Sequence, residues 1–493
     1  MLFLNRLKRN IVLMLLPVIT IGVFCLRFQQ NFFYYYLPNS QMNDEIIYYK
    51  TVEGMIRYGI PQGYFGYNES HALVGTYGAW SPVVYVLDYI CGKVFGWNIY
   101  TPIVMRIVLA SAGFFIYSMT CKPGRKETGY VLLFMSAFTI YARFLASQMF
   151  EPCIITMMIM FAAFLTKTKD QGIDRYFVFL SLIILFLTLI RPYFAVLWLI
   201  PVAQSNDKKK QITGCLLMII SPIIFFMISH YLTAEYFEVM IDMDWIKLIY
   251  REPLTAMMEM VSNMKEKSIL INEYMIEAFS EGNYIGLHFF FFYLLTVVLI
   301  LLSVRGKTKD MIPWIIINVV IWLMIINLYN VQEGWRHLMP FIVTEGILLM
   351  SMEGNHIVKV VVLGMAIYLC FFRIDVFTYP MYSERMEEQL IEMNREMTDK
   401  ISIDAENRWD NTIIWAFSDS GGKYNWNTLY ALPAGMGINI CMHEYVMENF
   451  DNLQSRYIAC THNGDIADEC RSRGYEDIYS SDDYNICIYR RTE

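Results

Sequence analysis

Long apolar runs rich in Leu, Ile, Phe and Met recur along most of the chain, without the polar and apolar alternation that strands of a membrane barrel would show. They predict helical spans over about 11–28, 101–120, 129–145, 152–166, 176–190, 193–204, 211–231, 285–303, 311–329, 338–352 and 358–375. A run such as Ile11 to Phe28 is long enough for a hydrocarbon layer of ~30 Å. Residues 81–95 differ. They carry Asp88 and Lys93, open on Ser81-Pro82 (an N-cap followed by proline at the first helical position), stop at Gly96 and fall short of a span. They predict a juxtamembrane helix on the outer surface. After residue 375 the pattern changes: Met386, Leu390, Met393, Met397 and Ile401 recur at helical spacing, and 412–417, 456–459 and 484–489 read as strands. Between them 465–473 reads as a helix ended by Gly474.

Composition agrees with this division. Of 493 residues, 56% are hydrophobic and 17% charged, with a mean hydropathy of +0.37, which no soluble globular protein of this size needs. The expectation is an all-α polytopic membrane protein with about eleven transmembrane helices over 1–375 and a small extracytoplasmic α/β domain over 376–493. Arg6, Lys8 and Arg9 precede the first run and no small-residue cleavage site follows it, so it reads as a retained signal anchor with a cytoplasmic N terminus. Short basic connections at 1–10, 121–128, 167–175, 206–211, 304–310 and 353–359 mark the cytoplasmic side at every second turn of the chain. The large outer regions are then 29–100, 232–284 and the C-terminal part. The second has ten carboxylates and four basic residues interleaved with Met240, Met243, Met257, Met258, Met260 and Met264; an interface-lying amphipathic lid and a plain acidic loop fit it equally.

Residues 376–493 hold 21 acidic and 10 basic side chains, so −11 of the net −7 lies there and +4 remains for the membrane part; nucleic acid is not an expected partner. The ten cysteines lack paired spacing, and the pairing of Cys441, Cys460, Cys470 and Cys487 stays open. Ser418 to Gly422 is an ordinary Gly-Gly turn after a strand as readily as a phosphate-binding one.

Candidate chemistry gathers at the outer loop ends. Asn43-Asp44-Glu45 opens a short helix that ends at Gly59, placing both carboxylates in its first turn; a solvated loop would place the pair there equally well. Glu151 precedes Pro152 on the same face and would cap its helix whether or not it does chemistry. Arg191-Pro192 and Trp335-Arg336-His337 supply outward cations suited to phosphate oxygens, although an Arg at a span end also snorkels to headgroups. Arg106, inside the second span, needs a partner, for which Asp88 and Glu45 are candidates.

Asp44-Glu45, Tyr77-Gly78-Ala79-Trp80-Ser81-Pro82, Phe95-Gly96 followed by Arg106, Arg143 to Pro152, and Arg336-His337-Leu338-Met339-Pro340 occur in an order that resembles the GT-C superfamily of membrane glycosyltransferases. The likeness is to the branch related to protein O-mannosyltransferases and the lipid A aminoarabinose transferase. His337 stands where Tyr is commoner, and Glu151 where some relatives carry Asp. The resemblance implies a GT-C-like fold, a bacterial plasma membrane, and inverting transfer of a sugar from a polyprenyl-phosphate carrier to a hydroxyl of a glycan, lipid or protein acceptor at the extracytoplasmic face. It implies Asp44 as general base with Glu45 and Glu151 beside it, and Arg336, His337, Lys50, Arg57, Arg143, Arg191 and Trp80 as substrate-binding residues. Such a transfer needs a carboxylate for the acceptor proton and cations for the departing phosphate. No Asp-x-Asp occurs in the first or second outer loop, so no metal or other cofactor is expected; Asp242-Met243-Asp244 has that spelling in a later loop. A flippase or transporter of lipid-linked sugars would need polar residues deep in several spans, and a membrane scaffold for the C-terminal domain would need neither so many spans nor Asp44-Glu45.

Overall fold

A computed structural model describes residues 2–29, 43–61, 66–69, 77, 81–233, 248–304, 312–352, 354–374, 386–401, 403, 410–417 and 426–492. The chain is mostly helical with one small sheet near its C-terminal end. The helical part begins with α1 (Leu2–Met14), α2 (Leu16–Phe28), α3 (Asn43–Tyr58), α4 (Val83–Phe95), α5 (Thr101–Cys121), α6 (Arg125–Ala137) and α7 (Thr139–Leu145). It continues with α8 (Glu151–Gln171), α9 (Phe177–Ile190), α10 (Leu199–Gln204, preceded by a 3₁₀ turn, Pro192–Trp198) and α11 (Lys208–Leu232). The remainder is α12 (Pro253–Ser280), α13 (Tyr284–Val304), α14 (Ile312–Leu328), α15 (Val331–Ser351) and α16 (His356–Ala366, extended by a π turn, Ile367–Arg373).

Among the described residues five helices are long and apolar enough to cross a membrane, and up to seven if each of two bent pairs counts as one span. The first expected span is such a pair, α1 and α2 meeting at 52°. Pro17 sits in the first turn of α2, where its missing N–H and its ring interrupt the ladder from the preceding turn. The expected span 129–145 is the other, α6 and α7 meeting at 71° about Phe138, beside which the Thr139 hydroxyl donates to the Cys370 carbonyl at 2.5 Å. Helices at 177–190, 192–204 and 312–328 are apolar but shorter. The expected span 338–352 lies in a helix that starts earlier, because the Asn330 side chain caps the Gln332 N–H at 3.4 Å. Arg336 and His337 therefore stand in its second turn.

Residues 81–95 form α4, as their pattern predicts, with the Ser81 hydroxyl accepting from the Val83 N–H at 3.3 Å. Within the expected region 232–284, α12 is a 28-residue helix lying back on α13; Gly286 allows the contact, since a Cβ there would overlap the Tyr274 carbonyl. Asp242, Asp244, Met240 and Met243 are outside the described residues.

The C-terminal unit holds α17 (Met386–Lys400), β2 (Thr412–Phe417), β3 (Gly437–Met442), α18 (His443–Glu448), β4 (Tyr457–Cys460), α19 (Asp465–Ser472), β5 (Glu476–Ser481) and β6 (Ile486–Arg490). The strand expected at 456–459 is β4, that at 484–489 is β6, and Gly474 ends the helix with a φ of 71°. The sheet order is β1-β3-β2-β4-β6-β5, parallel from β1 to β4 and antiparallel beyond. Its edge strand β1 (Gly66–Tyr67) comes from the segment between α3 and α4, some 370 residues away in sequence from β3, with Gly66 opposite Asn439.

That region is shared between two cores. Tyr48 and Val52 of α3 join the core of the helical bundle, whereas Ile46 and Tyr49 join Leu390, Met393, Trp415 and Leu429 in the core of the C-terminal unit. Farther along, the Glu69 carboxylate accepts from the backbone N–H groups of Gln454 and Ser455 at 2.6–3.1 Å. A single boundary near residue 375 thus misses a strand and a helix face that residues 43–69 give to the second unit.

Candidate functional site

The site is built around the segment 146–150 between α7 and α8, which charged groups hold from two sides. Arg106 of α5 is fully buried and forks onto Asp88 of α4, with Nη2 to Oδ2 at 2.9 Å and the parallel Nη1 to Oδ1 contact closer still. Its remaining donors reach the carbonyls of Gln148 at 3.1 Å and Met149 at 3.3 Å. Of the two partners expected for Arg106, the structure selects Asp88. Glu45, wholly buried in the first turn of α3, accepts the Gln148 N–H on Oε2 at 3.1 Å. Phe150 completes the clasp, lying 4.5 Å from the ring of Tyr48 and beneath the Arg106 guanidinium at 5.4 Å.

The chain then enters α8 at Glu151. Its carboxylate is buried and accepts from Arg191 Nη2 at 2.6 Å, so Arg191 has a carboxylate partner within the protein. Arg191 Nη1 lies 3.4 Å from the Tyr193 hydroxyl, which in turn is 3.0 Å from His337 Nδ1. His337 is buried with its ring 4.2 Å from that of Tyr329. Arg336, half-buried on the next position, acts electrostatically on both Glu151 and Tyr193. Residues from α8, the α9–α10 connection and α15 therefore meet in one polar chain, Glu151, Arg191, Tyr193 and His337, with Arg336 beside it.

One of the expected substrate-binding residues has another duty. Lys50 is buried against Glu53 at 2.5 Å and donates to the carbonyls of Tyr430, at 3.4 Å, and Leu432. Burial depresses its ammonium below the ordinary lysine range, with the Glu53 charge opposing. It ties α3 to the C-terminal unit, on the other face of the helix from the Tyr48 contact. Arg57 is exposed in the last turn of α3, over the ring of Tyr58 at 5.7 Å. Arg143 is buried in α7, one residue from Phe144, whose ring is 5.8 Å from Trp335. Trp80, Ser418 to Gly422 and the side chain of Asp44 are outside the described residues; the backbone of Asp44 lies in the first turn of α3, adjacent to Glu45.

Sequence reasoning missed Tyr193, whose position directly after Arg191-Pro192 was the available signal. It also missed a polar trio on three helices, with Asn318 and Glu345 buried and Thr296 half-buried: Asn318 of α14 donates to Thr296 Oγ1 of α13 at 2.8 Å and to Glu345 Oε2 of α15 at 3.2 Å. A carboxylate within an apolar run is itself a signal. In the C-terminal unit the thiols of Cys460 and Cys487 face each other across β4 and β6 at 3.5 Å, and all ten cysteines are free. No group of three or more His, Cys, Asp or Glu able to hold a metal occurs among the described residues. The chain matches no family model, no curated protein and no solved structure.

Proposed function

We propose that the chain is a membrane glycosyltransferase with about eleven spans and a GT-C-like arrangement, moving a sugar from a polyprenyl-phosphate carrier to an acceptor hydroxyl at the extracytoplasmic face of a bacterial plasma membrane. One observation carries this reading: Glu45, Glu151, Arg191, His337 and Arg336, far apart in sequence, lie around one loop end of an apolar helical bundle. An inverting transfer asks for that combination, a carboxylate for the acceptor proton and guanidinium groups for the phosphate that leaves.

Glu45 is engaged with the Gln148 N–H and Glu151 with Arg191, which suits them to shaping the loop and aiming the cation. For the base we take Asp44, the residue the resemblance implies, whose backbone stands next to Glu45 at the start of α3. In the proposed reaction Asp44 takes the proton of the acceptor hydroxyl as its oxygen attacks the anomeric carbon, and the polyprenyl phosphate departs with its bond electrons towards Arg336 and Arg191. The test is transfer by the purified full chain in lipid nanodiscs, supplied with polyprenyl-phosphate-linked sugar extracted from bacterial membranes. Asp44→Asn is expected to lower turnover by roughly 10²–10⁴ with unchanged insertion and melting temperature. Full turnover by that variant would remove Asp44 from the chemistry.

A transporter of lipid-linked sugars is the second reading, favoured by buried Asn318 and Glu345 with half-buried Thr296 inside the bundle. Movement of the intact lipid across a proteoliposome, with no transfer of its sugar, would decide for it.

A further inference from the structure

The trio inside the bundle has an unbalanced hydrogen-bond inventory. Glu345 and Asn318 are each 1% exposed. Both hydrogens of the Asn318 amide are spent, one on Thr296 Oγ1 and one on Glu345 Oε2, and the Thr296 hydroxyl donates to the Phe292 carbonyl at 2.8 Å. Two buried acceptors remain without a donor among the described residues, Glu345 Oε1 and Asn318 Oδ1. No ion pair involves Glu345 among the described residues, and no second titratable group acts on it; its surroundings are burial and the Asn318 amide.

An ionised carboxylate in this setting would carry an unpaired charge into an apolar interior, with a single neutral donor to offset its lost hydration. One proton changes the inventory. Placed on Glu345 Oε1, it removes that charge and turns Oε1 into a donor, the kind of partner that Asn318 Oδ1 lacks among the described residues.

We propose that Glu345 and Asn318 form a proton-binding site inside the bundle, occupied at neutral pH, whose ligand is a single proton. It stands apart from the Glu151 and Arg191 cluster and does not depend on sugar transfer. It does share a helix with that cluster, since Glu345 lies nine residues after Arg336 on α15, about 13 Å along its axis. Proton loss would require the α13, α14 and α15 contact to open or a cation to enter.

Two measurements on the purified full chain in nanodiscs at pH 7 test this. Difference infrared spectroscopy between the wild type and Glu345→Gln is expected to show loss of one protonated-carboxyl carbonyl band. The glutamine keeps the side chain's shape, so the variant is expected to fold. In the second, a hydrophobic carbodiimide adds across its C=N bond to the carboxyl O–H of the wild type, giving an O-acylisourea that rearranges to a stable N-acylurea with no leaving group. Mass spectrometry is expected to place that adduct on Glu345 at least tenfold more often than with a water-soluble carbodiimide, and to show the same yield with or without sodium. Absence of both the band and the adduct would overturn the proposal. An adduct suppressed by sodium would overturn it in favour of a metal cation as ligand.

Discussion

Two arginine–carboxylate pairs, Arg106 with Asp88 and Arg191 with Glu151, lie near the segment 146–150 and differ in what they leave unused. Every nitrogen of the Arg106 guanidinium donates within the protein, to both Asp88 oxygens and to the carbonyls of Pro102, Gln148 and Met149. Such a pair is closed and can only hold structure. Arg191 meets Glu151 through one nitrogen, Glu151 Oε2 has no hydrogen-bond partner among the described residues, and the Arg191 side chain keeps 12% exposure. Its contacts run on to Tyr193 and His337. The second pair is less saturated: Arg191 gives Glu151 a single nitrogen and turns another to Tyr193, and under the proposed function its guanidinium is the part that would face a phosphate. Saturation, more than burial, separates the two pairs.

Substitutions can break or sharpen that contrast. The largest effect is expected for Asp88→Ala, which strands a buried guanidinium and frees the loop; about 3–5 kcal/mol of stability should go, read as failed insertion or a large drop in melting temperature. Glu151→Gln keeps the shape and one acceptor for Arg191, so a smaller loss of about 1–3 kcal/mol is expected, with transfer falling further than stability alone explains. If Glu151→Gln and Asp88→Ala changed melting and transfer in the same proportion, the two pairs would not differ in kind. Tyr193→Phe removes the hydroxyl between Arg191 and His337 and is expected to cost about 0.5–1.5 kcal/mol, with a measurable fall in transfer. Arg57→Ala, on the exposed end of α3, should stay within about 0.5 kcal/mol of the wild type and leave transfer unchanged.

The helices were legible because an apolar run long enough to cross a bilayer has few other outcomes, and α4 was legible from its Ser81-Pro82 start and charged residues. The bends were less so. Pro17 signals the first, but nothing in the residues around Phe138 announces the second, which involves a hydroxyl contact to Cys370 some 230 residues away. The extent of α15 escaped a hydropathy reading because its first two turns are polar, and only the Asn330 cap marks the start. Strand β1 was illegible: two residues can pair with β3 only because α3 and Glu69 already fasten residues 43–69 to the C-terminal unit.

At the candidate site, residue types were easier to read than partners. Arg191, Glu151, Arg336 and His337 could be named, yet the Arg191 to Glu151 pairing depends on how α8 and α9 pack. Lys50 shows the opposite outcome. Its charge and position on the Asp44 helix suggested a substrate contact, but it points into the carbonyls of Tyr430 and Leu432, a contact that spacing within the first loop cannot reveal.

The central proposal is that the guanidinium groups beside Glu151, Arg191 and Arg336, serve a phosphate-linked donor. Its most direct test is the dependence of transfer rate on polyprenyl-phosphate sugar concentration in Arg336→Ala, with melting measured on the same preparation. The expected result is a donor requirement raised at least about tenfold, the loss of one charge-assisted contact, at an unchanged melting temperature. A donor dependence identical to that of the wild type would contradict the account.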